Sequence, residues 1–225
     1  MANLVAIVGE SGEGKSTAIK TLDPKSTYII NVQNKSLPWK GSKAQYNTEN
    51  KNIAELDSWE DVVNILTEMP NKRSEIKTIV IDDAGFIMAT EYFHRASETD
   101  YKMFREIGQH MFRIINAAKK QRSDLTVIFT FHPDVDSDIL GNKQTKIKTI
   151  GKLLEKSYTP EASFTVLLYT QVNFTKEGQA SYHFITNKTT DKPAKSPDGM
   201  FAEILIPNDL QLVIDTVNKY YKEEN

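Results

Sequence analysis

The 225-residue sequence contains no cysteine. Disulfides and cysteine-ligated zinc are therefore excluded, and the composition is compatible with a reducing cytosol. Long hydrophobic runs are lacking too. The first apolar stretch, Leu4-Val5-Ala6-Ile7-Val8, is too short to span a bilayer or serve as a leader, so neither an anchor nor a signal peptide is expected. Neither sign of charge dominates. Lys and Arg number 28 against 30 Asp and Glu, a net −2 that excludes a globally basic nucleic-acid binder but leaves room for a local basic surface. There is no internal repeat and no low-complexity tract. What is there, 39% hydrophobic and 26% charged residues, suits one domain over residues 1–225 with a buried core.

The most specific stretch is Gly9-Glu10-Ser11-Gly12-Glu13-Gly14-Lys15-Ser16, which fits G-x-x-x-x-G-K-[ST], the phosphate-binding loop of P-loop nucleotidases. The glycines let successive backbone N–H groups turn inward around a triphosphate. Lys15 can reach the β- and γ-phosphates, and the Ser16 hydroxyl can ligate Mg²⁺. Leu4–Val8 ahead of the loop reads as a buried parallel strand. Thr17 to Leu22 behind it reads as a helix stopped by Asp23-Pro24, whose N-terminus would add free N–H donors and a favourable dipole. Residues Gly9 to Thr17 are thus the expected ATP contacts.

Further along, Thr27–Val32 reads as a second strand, followed by an irregular polar loop near the nucleotide from Gln33 to about Asn52. A helix is expected from Asp57, capped with Glu60, to Met69 before Pro70. Thr78-Ile79-Val80-Ile81-Asp82-Asp83 is an apolar strand tipped by carboxylates. Such a strand holds an acid where Mg²⁺ and its waters sit, so Asp82 is assigned to the metal with Ser16. Asp83 has two readings, polarising the attacking water or capping the next helix. Phe104, Ile107, Met111, Ile114, Ile115 and Ala118 recur at helical spacing and predict a core face. Leu125–Phe131 is a buried strand ending at His132-Pro133, and its tip in a parallel sheet lies beside the first and third strands. His132 there either senses the γ-phosphate or simply caps the strand. The run Ile139–Leu154 reads as a basic loop, with Lys143, Lys146, Lys148 and Lys152 and no acid among them. It is either solvated surface or a contact for single-stranded DNA, and four phosphate contacts would give a log–log salt slope of about −3. Phe164–Tyr169 and Ser181–Thr186 predict a hairpin, Phe201–Ile206 a last strand, and Pro207 to about Glu224 an amphipathic helix.

This order resembles the RecA-type ATPase core over nearly the whole chain, and more narrowly the small phage-encoded RecA-like ATPases of single-strand annealing. The likeness rests on Gly9–Ser16 with Thr17, on Thr130-Phe131-His132-Pro133, and on Thr186-Asn187-Lys188 running to Lys195-Ser196-Pro197. The resemblance implies an α/β P-loop fold with a mostly parallel central sheet, flanking helices and an antiparallel C-terminal extension. It implies ATP and Mg²⁺ as cofactors, Lys15, Asp82, Asp83 and His132 as catalytic residues, and Lys188, or else Lys195, acting in trans on a neighbour's ATP in a homo-oligomer. It also implies single-stranded DNA at Lys143 to Lys152, phage or host recombination proteins as partners, and a host-cytoplasmic location. Two departures shape the expectation. No glutamate follows the second strand, so Asp83 or Gln33 would assist hydrolysis, or hydrolysis is slow. The first strand begins by Leu4 without a docking segment, which favours a ring or ATP-dependent dimer over a filament.

Three other functions compete. A nucleotide-gated accessory or helicase-loader-like module would bind proteins rather than DNA. A small GTPase would use Asp82-Asp83-Ala84-Gly85 as D-x-x-G, but Asp191 lies one residue too far from Asn187-Lys188 for the guanine contact. A small-molecule kinase lacks an arginine-rich lid segment.

Overall fold

The computed structural model describes residues 1–98, 100–137, 143–150 and 159–223. In chain order the strands are β1 (Asn3–Val8), β2 (Thr27–Asn31), β3 (Ile53–Ala54), β4 (Thr78–Asp82), β5 (Thr126–Phe131), β6 (Pro133–Ser137), β7 (Lys143–Ile147), β8 (Val166–Phe174), β9 (Ala180–Ile185) and β10 (Leu205–Pro207). The α-helices are α1 (Ser42–Gln45), α2 (Trp59–Lys72), α3 (Gly85–His94), α4 (Lys102–Lys119) and α5 (Leu210–Glu223).

Eight strands form one sheet in the order β10-β9-β8-β1-β5-β4-β2-β3. From β8 to β3 every neighbour is parallel, while β8–β9 and β9–β10 are antiparallel. This is the α/β P-loop architecture that the sequence implies. Alternation along β1 explains the layers: Leu4, Ala6 and Val8 join the core under α2, α3 and α4, whereas Val5 and Ile7 face the layer of Ile19 and α5. Helix α4 buries Ile107, Met111, Ile114, Ile115 and Ala118 on one stripe, and α5 buries Leu210, Val213, Ile214 and Val217.

The topology decides what meets at the strands' C-terminal ends. β5 lies between β1 and β4, with Val8 beside Phe131 and Ile81 beside Phe129, while Asn31 of β2 sits beside Asp82. The loops after β1, β2, β4 and β5 therefore leave one edge of the sheet together.

Several local expectations are corrected. The helix expected after the loop is there, but it is a five-residue 3-10 helix, Thr17–Thr21, and the chain turns extended at Leu22. So short a turn carries little macrodipole. Ser58, not Asp57, caps α2, accepting from the Asp61 N–H at 3.4 Å, and Pro70 lies inside the helix near its end. The last strand is only Leu205–Pro207, and α5 begins at Leu210. Its first N–H groups are satisfied by neighbours: Leu210 and Gln211 donate to Thr21 Oγ1 at 3.0 and 3.2 Å, and Leu212 donates to Asp209 Oδ1 at 3.0 Å. The expected basic loop is in part an antiparallel ribbon, β6–β7, pairing Pro133–Ser137 with Lys143–Ile147.

Candidate nucleotide site

Val8 ends β1, and Gly9 donates its N–H to the Phe131 carbonyl at 3.1 Å. A Cβ at Gly9 would lie 1.8 Å from Thr170 Oγ1 on β8, so only glycine fits between loop and strand. Gly12 and Gly14 take φ of 84° and 89°, left-handed bends that side chains resist. Lys15 is buried and folds back on the loop, donating Nζ to the carbonyls of Gly9 at 2.8 Å and Glu10 at 2.9 Å. Burial holds its pKa below the usual lysine value, against the raising effect of Asp83, Asp82, Glu13 and Glu10. Glu13 ties the loop together, its Oε2 accepting from the Glu10 N–H at 2.8 Å and from the Thr170 hydroxyl.

The acid-tipped strand meets this loop directly. Ser16 Oγ donates to Asp82 Oδ1 at 3.0 Å, and Thr130 Oγ1 donates to the same oxygen at 2.8 Å. Thr130 is fully buried and also accepts the Asp83 N–H at 2.7 Å, so one β5 hydroxyl sets both acids. Burial first, then the adjacent Asp83 charge, pushes Asp82 above the usual carboxylate range, although Thr130, Ser16 and Lys15 act the other way. A buried anion disfavoured by its surroundings, with a hydroxyl at hydrogen-bond distance, is a hard-oxygen pair that suits Mg²⁺. Ser16 and Asp82 are the residues placed to hold such a cation, with the remaining positions left to ligand oxygens and water.

Asp83 turns through φ 59° and does not cap α3 with its side chain. Its carboxylate lies 3.3 Å from His132 Nε2 and 3.5 Å from Lys35 Nζ. Burial works to raise its pKa, but the hydrogen bond and charge of His132, with Lys15 and Lys35, outweigh this and hold it below the usual range. His132 also packs edge-on against Phe86, 5.7 Å between centroids. Asp83 thus faces the cleft rather than capping α3, and His132 lines the cleft beside it.

These groups line a cleft of about 720 Å³. Ser11, Gly12, Gly14, Lys15, Ser16 and Thr17 form its floor, with Asp82, Asp83 and His132 on one side. Lys35, Leu37 and Pro38 from the loop after β2 close that side, and Tyr182, Pro207 and Asn208 stand opposite. Sequence reasoning named the loop after β2 but missed Lys35, and it missed Thr170, Tyr182 and Asn208, which chain reversal alone brings to the site. Gln33 does not line the cleft.

The remaining predicted residues lie elsewhere. Lys188 is exposed just beyond β9, and Lys195 pairs its backbone with Leu167, so neither enters its own chain's cleft. Lys192 comes nearer the loop, donating Nζ to Thr170 O at 2.8 Å and Gln171 Oε1 at 2.9 Å. Lys143 and Lys146 lie on β7, Lys148 follows it, and Lys152 lies outside the described residues. The run without acids acquires them by pairing. Asp134 stands opposite Lys146, and Asp136 Oδ2 lies 3.7 Å from Lys146 Nζ.

Among the described residues no helix is long and apolar enough to cross a membrane. Compared with known protein families, residues 1–197 match the AAA domain. No curated protein matches the chain.

Proposed function

The chain belongs to the AAA domain family, a nucleotide-binding ATPase family, and on that premise we propose a magnesium-dependent ATP hydrolase whose nucleotide state governs single-stranded DNA binding and annealing. The single observation that carries the coupling is His132. Its ring touches Asp83 at the cleft, its carbonyl accepts the Lys148 N–H at 2.9 Å, and Pro133 next to it opens the ribbon bearing Lys143 and Lys146. A change at the terminal phosphate would move Asp83 and His132, and with them the end of the ribbon where Pro133 pairs with Ile147.

In this reading Lys15 and the loop N–H groups grip the phosphates, and Ser16 and Asp82 hold the cation. Bound Mg²⁺ would neutralise charge on the transferring phosphoryl oxygens. Asp83, ionised at neutral pH, orients a water for attack. Lys188 or Lys195 acts in trans on the ATP of a second copy, adding positive charge at the transferring phosphoryl group. A phage-encoded RecA-like annealing protein working in host cytoplasm, with replication or recombination proteins as partners, fits this set of roles.

A second reading, the nucleotide-gated accessory module, is favoured by the acids facing Lys146, which weaken the ribbon's positive field. ATP hydrolysis measured with and without single-stranded DNA separates the two. Stimulation of several-fold supports the DNA-coupled ATPase, and an unchanged rate supports the accessory module.

A further inference from the structure

The loop after β2 is built to present one side chain. Asn31 ends β2 with 5% exposure, and its amide clamps the backbone of a residue four positions on. Its Nδ2 donates to the Lys35 carbonyl at 2.8 Å, and its Oδ1 accepts the Lys35 N–H at 3.4 Å. Between them Asn34 takes φ 49°, a left-handed turn that few residues besides glycine and asparagine adopt. A buried amide and an unfavourable turn are thus both committed to returning the chain over the cleft at Lys35.

The Lys35 side chain itself is lightly held. Nζ lies 3.5 Å from Asp83 Oδ2, longer than the roughly 2.7–2.9 Å of a tight charge-assisted bond. It also lies 5.3 Å from the Phe86 ring centroid, and the side chain is 61% exposed. Lys15 serves the loop side of the cleft, and Ser16 with Asp82 would hold a cation there. Lys35 lines the same cleft beside Asp83, within reach of a phosphate chain that starts at the loop and runs toward Asp82 and Asp83.

We propose that Lys35 is a ligand of the terminal phosphate, a cation in cis that leaves Asp83 for the γ-phosphoryl oxygens and so distinguishes a nucleoside triphosphate from a diphosphate. This assignment rests on the ATP-site reading above. It gives the cleft a second cation of its own beside Lys15, on the wall that carries Asp83.

The test is calorimetric titration of the full chain with Mg-ATP and Mg-ADP, in wild type, Lys35→Ala, Lys35→Arg and Lys15→Ala, with thermal unfolding of each as a check on folding. Lys35→Ala is expected to weaken ATP about 10- to 30-fold and ADP less than about 2-fold, while Lys35→Arg stays within about 3-fold for both. Lys15→Ala is expected to weaken both nucleotides. Equal loss of ATP and ADP in Lys35→Ala, or no loss of either, overturns the assignment while leaving the ATP site intact. A wild-type chain that binds neither nucleotide overturns the ATP-site reading, and this assignment with it.

Discussion

The cleft and the β6–β7 ribbon leave the same edge of the sheet but are built differently. In the cleft, Lys15, Asp82, Asp83 and Thr130 are buried and each is fixed by contacts of 2.7 to 3.3 Å. On the ribbon, Lys146 and Asp136 are 48% and 72% exposed and meet at 3.7 Å. A buried charge is felt strongly because its neighbours cannot be replaced by water; an exposed pair is screened and contributes little. Substitutions in the cleft should therefore act in large steps, and those on the ribbon in small, salt-dependent ones.

The largest expected effect is at Asp82. Asp82→Asn keeps an oxygen for Ser16 and Thr130 but removes the charge that would hold the cation, so hydrolysis should fall about 100-fold or more. Stability of the nucleotide-free chain should move the other way. The folded-state pKa of Asp82 is raised, so its contribution is favourable at low pH and is lost as pH climbs from the ordinary aspartate range through the raised value. Above that range Asp82→Asn should be more stable than wild type by about 1 kcal/mol, with a flatter stability-against-pH curve in denaturant titration.

Gly9→Ala comes next. The added methyl overlaps Thr170 Oγ1, and overpacking of this kind costs about 1–3 kcal/mol. Thr170→Ala on top of it should recover part of that loss in the urea midpoint; a Gly9→Ala chain as stable as wild type would remove the packing basis of the loop's position.

The smallest effects belong to the ribbon. Asp134→Asn with Asp136→Asn should strengthen single-stranded DNA binding a few-fold by freeing Lys146, and Lys146→Ala with Lys148→Ala should weaken it and flatten the salt slope by about 1.4. Titration of a fluorescent oligonucleotide at several salt concentrations reads both. Cleft-sized effects on the ribbon would erase the contrast.

What could be read from the sequence follows the same division. The phosphate loop, the acid-tipped strand and the α4 stripe are local patterns, so Gly9–Ser16, Asp82 and Ile107–Ala118 could be placed before any fold was known. The parallel order with β5 beside β1 also followed from the succession of strands and helices. The 3-10 turn at Thr17–Thr21 was hidden because its residues tolerate either helix. The ribbon was hidden because Lys143-Gln144-Thr145-Lys146-Ile147 lacks an apolar alternation, and only its pairing with Pro133–Ser137 makes it a strand. Lys35 was hidden because its position depends on the side chain of Asn31 and a left-handed Asn34, neither of which leaves a pattern.

Coupling of the cleft to the ribbon through His132 is read from the affinity of the wild-type chain for a single-stranded oligonucleotide with Mg-ATP, with Mg-ADP and without nucleotide. Binding should be at least about 10-fold tighter in one nucleotide state than in the others, a difference that His132→Ala removes. Equal affinity in all three states would mean that cleft and ribbon are uncoupled.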